Sequence, residues 1–518
     1  MRCIPVFSIV GQRVDFTKGL QMDIPAGGSD KRDQAKTATA PSMLPPRAAS
    51  GPPELLENLC EAIIACDLKD GATLSFHHHL RDGDAVLNQV LDAAAETGLR
   101  GLTIAASSIF PVHAPLVNHI ATGVVKRLVC DYVKGPVASA IMAGLMPEPV
   151  LLQSHGGRAR AISSGQLPID VAFLGAPRVG RDGAATGAGG RASCGPLGYA
   201  MVDADYAKNV VLLTEEICSA QPKRYEIEPG KADFLVTVPS LGDNRRILSG
   251  ATALATDEAS TTIVDLVLGV IQSSGLVANG FSFQTGAGGI SLGVANKLGH
   301  LLATAGVKGG FISGGIAGGH VALLEGGLFE RILDVQSFDL EAVSSYERNP
   351  AHIAMSASRY ASPIDPAPVV DLLDTVVLGA AEVDRSFNVN VATGSNGVIL
   401  GGPGGHPDTA AGAKLTIVTT RLKAGGNPKI VDRVACCVTP GCDVDVVVTE
   451  AGIAVNPMRM DLLERFRKSS LPLRTIDELA VLAASEVGVR QLNRSGSVVA
   501  IVERRRGGCM DAIHGCTA

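Results

Sequence analysis

The sequence predicts an α/β fold of two layered domains, with mostly parallel sheets covered by helices, and three observations carry this. The chain has 518 residues, too many for one ordinary hydrophobic core, so two large domains are expected. Short, continuously apolar runs alternate with stretches of helical periodicity, as strands buried on both faces require. There is no tryptophan, aromatics make up 4% and Gly is abundant, so the core must be aliphatic and tightly layered.

Residues 1–50 read as a flexible N-terminal arm, because 21–52 are rich in Pro, Ala, Gly, Ser and charge without periodicity. Order should begin at "PELLENLCEAII", where Leu55, Leu56, Leu59 and Ile63 recur at helical spacing. "ATLSFHHH" reads as a strand and "AVLNQVLDAAAETG" as a helix closed by Gly98. "LTIAAS", "RLVCDYV", "PVLLQ" and "DVAFLGAP" continue the strands of a domain over 51–240. "VPSLGDNRR" reads as the linker into a second domain over 241–518. There "TIVDLVLGVIQSSG" is a helix, "GFSFQTG" a strand and "GGISLGVANKLGHLLATAG" a helix entered through glycines. "DTVVLGAAEVD", "KLTIVTT", "DVDVVVTE" and "SVVAIVE" complete the strands.

Composition excludes several function classes. Net charge is −6 with Lys and Arg scattered, so no basic stripe exists to track nucleic acid. The eleven cysteines include no CxxC pair, which fits isolated thiols in a reducing, cytoplasmic setting better than a disulfide or zinc framework. The start lacks a small-residue cleavage site and no long charge-free apolar run occurs, so neither a signal peptide nor a membrane span is expected.

Four groups of residues could carry chemistry. In "FQTGAGGIS", Gln284 precedes Gly286, Gly288 and Gly289 between a strand and a helix, where exposed amides suit a phosphate or an oxyanion. "GGPGGHPDTAAGAK" sets Gly401, Gly404 and Gly405 before His406 and Asp408. "AEVDRSFNVNV" places Glu382, Asp384, Asn388 and Asn390 on one strand face. The fourth group is "FHHHLRDGD". If its strand continues, His77, His79 and Arg81 share a face and His78 points the other way. An arginine beside the imidazoles favours a polyanion over a metal. "QSHGGRAR" adds His155 and Arg158 at another strand end, where parallel sheets bind ligands. No HExxH motif occurs. A carboxylate substrate can instead be its own nucleophile, leaving orientation and oxyanion stabilisation to the protein.

These segments, with "CGPLGYAMVDADYA", "DVQSFDLEAV", "FNVNVATGSNGV", "GGHPDTAAGAKLTIV" and "GIAVNP", resemble the citrate lyase alpha-subunit (citrate CoA-transferase) family from about residue 50 onward. The resemblance implies two CoA-transferase-like (NagB/RpiA/CoA transferase-type) domains. It implies transfer of an acyl-carrier-protein thioester from acetate to citrate. The implied partners are a beta subunit that cleaves the citryl thioester and a gamma subunit, the acyl carrier protein with its CoA-derived prosthetic group. An oligomer is expected, with neither cofactor nor metal held by this chain. The stretch "ISGGIAGGHVALLEGG" has no acid between 312 and 324, where related CoA-transferases place a glutamate that becomes acylated, so direct attack by citrate is expected. On this reading Gly288, Gly289 and His406 serve catalysis. His77, His78, His79, Arg81, His155, Arg158, Asn388 and Asn390 would bind substrate. Gln284, Gly286, Gly401, Gly404, Gly405 and Asp408 would hold the thioester arm. The alternatives are a citramalate lyase alpha subunit and a non-catalytic scaffold for the carrier.

Overall fold

The computed structural model describes residues 42–248, 255–286, 288–485 and 496–515, with the backbone of two further short strands, Val6–Phe7 and Arg13–Val14. Among the described residues, ten strands form a first sheet with Thr73–Phe76 near its middle. Leu102–Ala106, Val125–Cys130 and Val150–Leu152 follow on one side; Val171–Gly175, Asn209–Thr214, Phe234–Thr237 and Glu54–Leu56 follow on the other. All these pairings are parallel. The chain therefore winds outward in both directions from Thr73–Phe76, and such a reversal opens a crevice beyond the strand's carboxyl end.

The second sheet, of nine strands among those described, repeats the arrangement around Ser282–Thr285. Gly309–Ile316, Phe329–Ser337 and His352–Ala354 lie to one side, and Thr375–Gly379, Leu415–Thr419 and Val446–Thr449 to the other. Its side chains alternate between two cores, as a pleated strand demands. Val376, Leu378, Val418 and Val447 point into a core shared with the first sheet. Val377, Ile417, Val446 and Val448 face a second core beneath the helices Glu258–Ser273 and Gly289–Ala305. Asp257 caps the former by accepting from the Ser260 amide, and Gly306, at φ 63°, ends the latter in the left-handed conformation. The two halves are thus joined through common apolar packing.

Three expectations change. Glu54–Leu56 is an edge strand beside Phe234–Thr237, and the helix is confined to Leu59–Ala65 behind an Asn58 cap; sheet pairing overrides the helical spacing of Leu55, which is 62% exposed. "SVVAIVE" forms Val498–Glu503, which pairs with Val150–Leu152 in the first sheet and turns back as Cys509–His514. The end of the chain therefore returns to the first half. The described part of the arm lies along that same half: the amides of Leu44, Arg47 and Ser50 donate to the carbonyls of Ser163, Asp205 and Gly230. The rest of the arm falls outside the described residues. No helix among the described residues is long and apolar enough to cross a membrane.

Candidate active site

The histidine loop begins where the central strand of the first sheet stops. That strand ends at Phe76, so His77 to Arg81 form a turn rather than continue the pleat, correcting the two-faced strand reading. His77 and His79 stack with centroids 5.6 Å apart. His77 Nε2 lies 2.8 Å from Asp203 Oδ2. Asp203 also accepts from Ser75 Oγ at 2.8 Å and from Arg158 Nη2 at 3.2 Å. Burial opposes the Asp203 charge, but Arg158 first and then His77 hold its carboxyl down at about 2. Arg158 is enclosed, donating also to Ser75 Oγ and the Ala105 carbonyl. Its guanidinium therefore supports the histidine turn from below, through Asp203.

Burial lowers the His77, His78 and His79 imidazoles, the last two well below their usual range. Burial thus disfavours their charged forms, whereas Arg81 keeps its positive charge, with burial bringing it only to about 10. The cavity against His77, His79, Asp84 and Cys194 measures about 20 Å³, room for about one water and far too small for a tricarboxylate. Among the described residues no group of three or more His, Cys, Asp or Glu side chains could hold a metal ion.

Arg81 sits at φ 53°, a region that costs a non-glycine residue roughly 1–3 kcal/mol and persists where the surroundings enforce it. Here both halves enforce it: the guanidinium lies 5.4 Å from the Phe110 ring centre and 4.7 Å from that of Phe338. From the second half, Gln336 Nε2 donates to the His78 carbonyl at 2.9 Å. His78 packs against Tyr199 and, at 6.5 Å, against His155. His155 opens the helix His155–Ser163, capped by Ser154, and its Nδ1 lies 2.8 Å from Asp131 Oδ2. Its side chain keeps 16% exposure.

The Gly401–Gly405 turn presses directly onto this group. The Gly404 carbonyl accepts from the His155 amide, and Gly404 N–H donates to the Asp131 carbonyl. A Cβ on Gly402 would meet that same carbonyl at 2.4 Å, and one on Gly405 would lie 3.3 Å from His155 Cδ2, so these glycines permit close approach of the two halves. Asp408 accepts from Ser154 Oγ at 2.9 Å and Gly156 N–H at 2.8 Å, with Arg505 Nε at 3.4 Å. It is a latch between halves. His406 is buried against Thr439 Oγ1, and burial lowers its imidazole to about 4. Asn388 and Asn390 do not share a strand with Glu382: the hairpin Glu382–Asp384 and Val389–Asn390 folds them back, and their amides serve Asp384, Glu382 and Thr393.

The glycine loop follows the central strand of the second sheet, the position matching the histidine turn. Gln284 is fixed between Tyr360 and Ser313, and Gly286 N–H donates to the Val377 carbonyl. Gly288 is the N-cap of a 17-residue helix that has no side-chain cap and no acid in its first turn. Among the described residues no side chain accepts from its leading amides, and the helix dipole adds partial positive charge there. Next to it, Thr285 Oγ1 accepts from His320 Nε2 at 2.9 Å, because His320 Nδ1 accepts from the Ala317 amide. A wider groove of about 430 Å³, lined by Phe311, Arg331, Met355 and Arg359, lies toward the starts of the strands, away from these loops.

Asp131, Tyr199, Tyr360, Gln336 and Phe338 are the groups that sequence reasoning missed. Asp131 had one usable signal, an acid inside the otherwise apolar "RLVCDYV".

Comparison with known proteins follows the same boundaries. The profile of the family described as citrate lyase, alpha subunit, matches residues 53–516. The citrate lyase alpha chain of Escherichia coli K12 is 45% identical over 462 residues, spanning 89% of this chain and 91% of that one. That of Haemophilus influenzae is 44% identical, spanning 89% and 92%. A Streptococcus mutans structure described as an alpha subunit of citrate lyase in complex with citrate superposes with TM-score 0.87 at 42% identity, covering 91% of this chain and 95% of that one. A malonate decarboxylase alpha subunit from Acinetobacter baumannii, at 14% identity and TM-score 0.61 over 89% and 88%, shares the fold.

Proposed function

Because the chain belongs to the citrate lyase alpha-subunit family, we propose that it transfers a carrier thioester from acetate to citrate, acetyl-carrier plus citrate giving citryl-carrier plus acetate. The carrier is an acyl carrier protein bearing a CoA-derived arm, and a beta subunit cleaves the citryl product within a multi-subunit, cytoplasmic assembly. Free thiols at Cys66, Cys130 and Cys194 fit a reducing compartment. The observation that carries the reading is positional: the Arg-bearing histidine turn and the uncapped glycine loop follow the central strands of the two sheets, and one interdomain seam links their surroundings. The citrate complex of the Streptococcus mutans relative supports the choice of substrate.

In this mechanism Arg81 and His155 bind carboxylates of citrate, and a citrate carboxylate attacks the thioester carbonyl. The amides at Gly288 and Gly289 receive the developing oxyanion. The carrier thiolate leaves, giving a mixed anhydride, then attacks the citryl carbonyl of that anhydride and releases acetate. Acidic side chains that could intervene are engaged elsewhere. Glu382 accepts from Asn390 and the Ala435 amide, Glu450 from the Leu422 amide, and Glu325 stands half-exposed opposite Arg348. Purified chain incubated with acetyl-CoA and either citrate or citramalate tests the proposal. Citryl-CoA formation favoured with citrate supports it. Preference for citramalate moves the substrate to the methyl-bearing analogue, and transfer to neither reduces the chain to a scaffold.

A further inference from the structure

Asp131 and His155 stand at the carboxyl ends of neighbouring parallel strands, Val125–Cys130 and Val150–Leu152. Asp131 is wholly buried, whereas His155 keeps 16% of its side chain in solvent. One carboxylate oxygen, Oδ2, lies 2.8 Å from His155 Nδ1, and the other has no hydrogen-bond partner among the described residues. An acid left half-satisfied in the interior is costly unless its charge acts on something. The ring it holds is bounded by Tyr199 edge-on at 5.0 Å and by His78 at 6.5 Å. On the far side are glycines: a Cβ on Gly404 would lie 3.5 Å from His155 Nε2. With Nδ1 committed to Asp131, Nε2 is the nitrogen left for a ligand.

We propose that Asp131 is a positioning residue for citrate. By accepting from Nδ1–H it sets the orientation and tautomer of His155 and leaves Nε2 to meet a carboxyl group of citrate. Arg81, Asp408, Arg505 and Arg158 are further charged groups around the seam, Arg505 lying 3.4 Å from Asp408. Arg81 stacks between phenylalanines, while Asp408 and Arg158 are tied to Ser154, Gly156 and Asp203. Asp131 is therefore the acid placed to act on this ring. The inference rests on citrate being the substrate.

Calorimetric citrate binding and steady-state KM on full-length Asp131→Asn, His155→Gln and the double variant test it, with thermal melting recorded alongside. Each single variant should weaken citrate about tenfold or more while kcat changes far less. Asp131→Asn should add nothing once His155 is Gln. His155→Gln changes a partly exposed side chain and keeps the question answerable if Asp131→Asn melts early. Undiminished affinity in His155→Gln, or an Asp131→Asn effect that persists in the double variant, overturns the proposal. Wild-type chain that binds no citrate overturns the substrate reading together with it, whereas tight wild-type binding with an unaffected Asp131→Asn overturns this inference alone.

Discussion

Asp408→Ala removes the latch between the two halves, and the structure sets the size of its effect. The Asp408 carboxylate, fully buried, accepts from Ser154 Oγ at 2.9 Å and from Gly156 N–H at 2.8 Å, and lies 3.4 Å from Arg505 Nε. Hydrogen bonds to a charged group are each worth roughly 1.5–3 kcal/mol. Breaking a buried pair while leaving its partner costs about 3–5 kcal/mol. These overlap, because the Gly156 amide and Arg505 are the groups stranded, so a net loss of about 3–5 kcal/mol is expected. Ser154 caps the helix that His155 opens, so citrate affinity should fall with stability. Urea unfolding and citrate KM on the same samples measure both. Gly156→Ala is the matched control: its Cβ would lie 2.1 Å from the Ala361 carbonyl oxygen, prising the same seam apart without deleting a charge. A loss below about 1 kcal/mol in Asp408→Ala, against the magnitudes above, would refute the latch.

Gly288→Val should cut transfer by about 10²–10³ with an unchanged melting temperature, since Gly288 has φ −72° and no described atom lies within 4 Å of an added Cβ. Near-normal turnover would move the oxyanion site away from this loop. Arg81→Ala should raise the Kd for citrate roughly tenfold to a hundredfold, read by calorimetry, and an unchanged Kd would remove Arg81 from the site. Glu226 bridges the halves through Tyr346, and burial raises its carboxyl from 4.5 to about 7. Because the folded pKa is the higher one, the stability it contributes is full below about 4.5 and is lost as pH rises through about 7, an effect of roughly 3 kcal/mol. Glu226→Gln should flatten the pH dependence of unfolding across that window; a slope identical to wild type would assign it to other groups.

The strands that carry the site were legible because burial on both faces writes itself as uninterrupted apolar runs, as in "LTIAAS" and "KLTIVTT". The loops after "ATLSF" and "FSFQTG" were legible as strand ends rich in chemistry. What those loops face was not. Asp203 lies far along the chain from His77 but only 2.8 Å away in space, and together with Arg158 it engages that imidazole inside the fold. Asn388 and Asn390 showed the alternation of a strand face, but a hairpin turn consumed their amides. The glycines at 401–405 read as a ligand cradle, whereas they abut the Asp131 carbonyl and the rings of Tyr132 and His155 in the other half. Side-chain types mark where polar groups gather; which of them pair internally depends on contacts between distant segments, which local periodicity does not encode.

Direct attack by citrate is the central chemical claim, and a single turnover with citrate labelled by ¹⁸O in its carboxylates tests it. If a citrate oxygen bonds to the acetyl carbon and stays with it when the anhydride is opened, the acetate released in that first turnover carries one ¹⁸O. If a protein glutamate is acylated first, the first acetate takes its oxygen from the enzyme and emerges unlabelled, with ¹⁸O left on the glutamate. Labelled first-turnover acetate, measured by mass spectrometry, is the predicted result; unlabelled acetate with label on the protein would contradict the account.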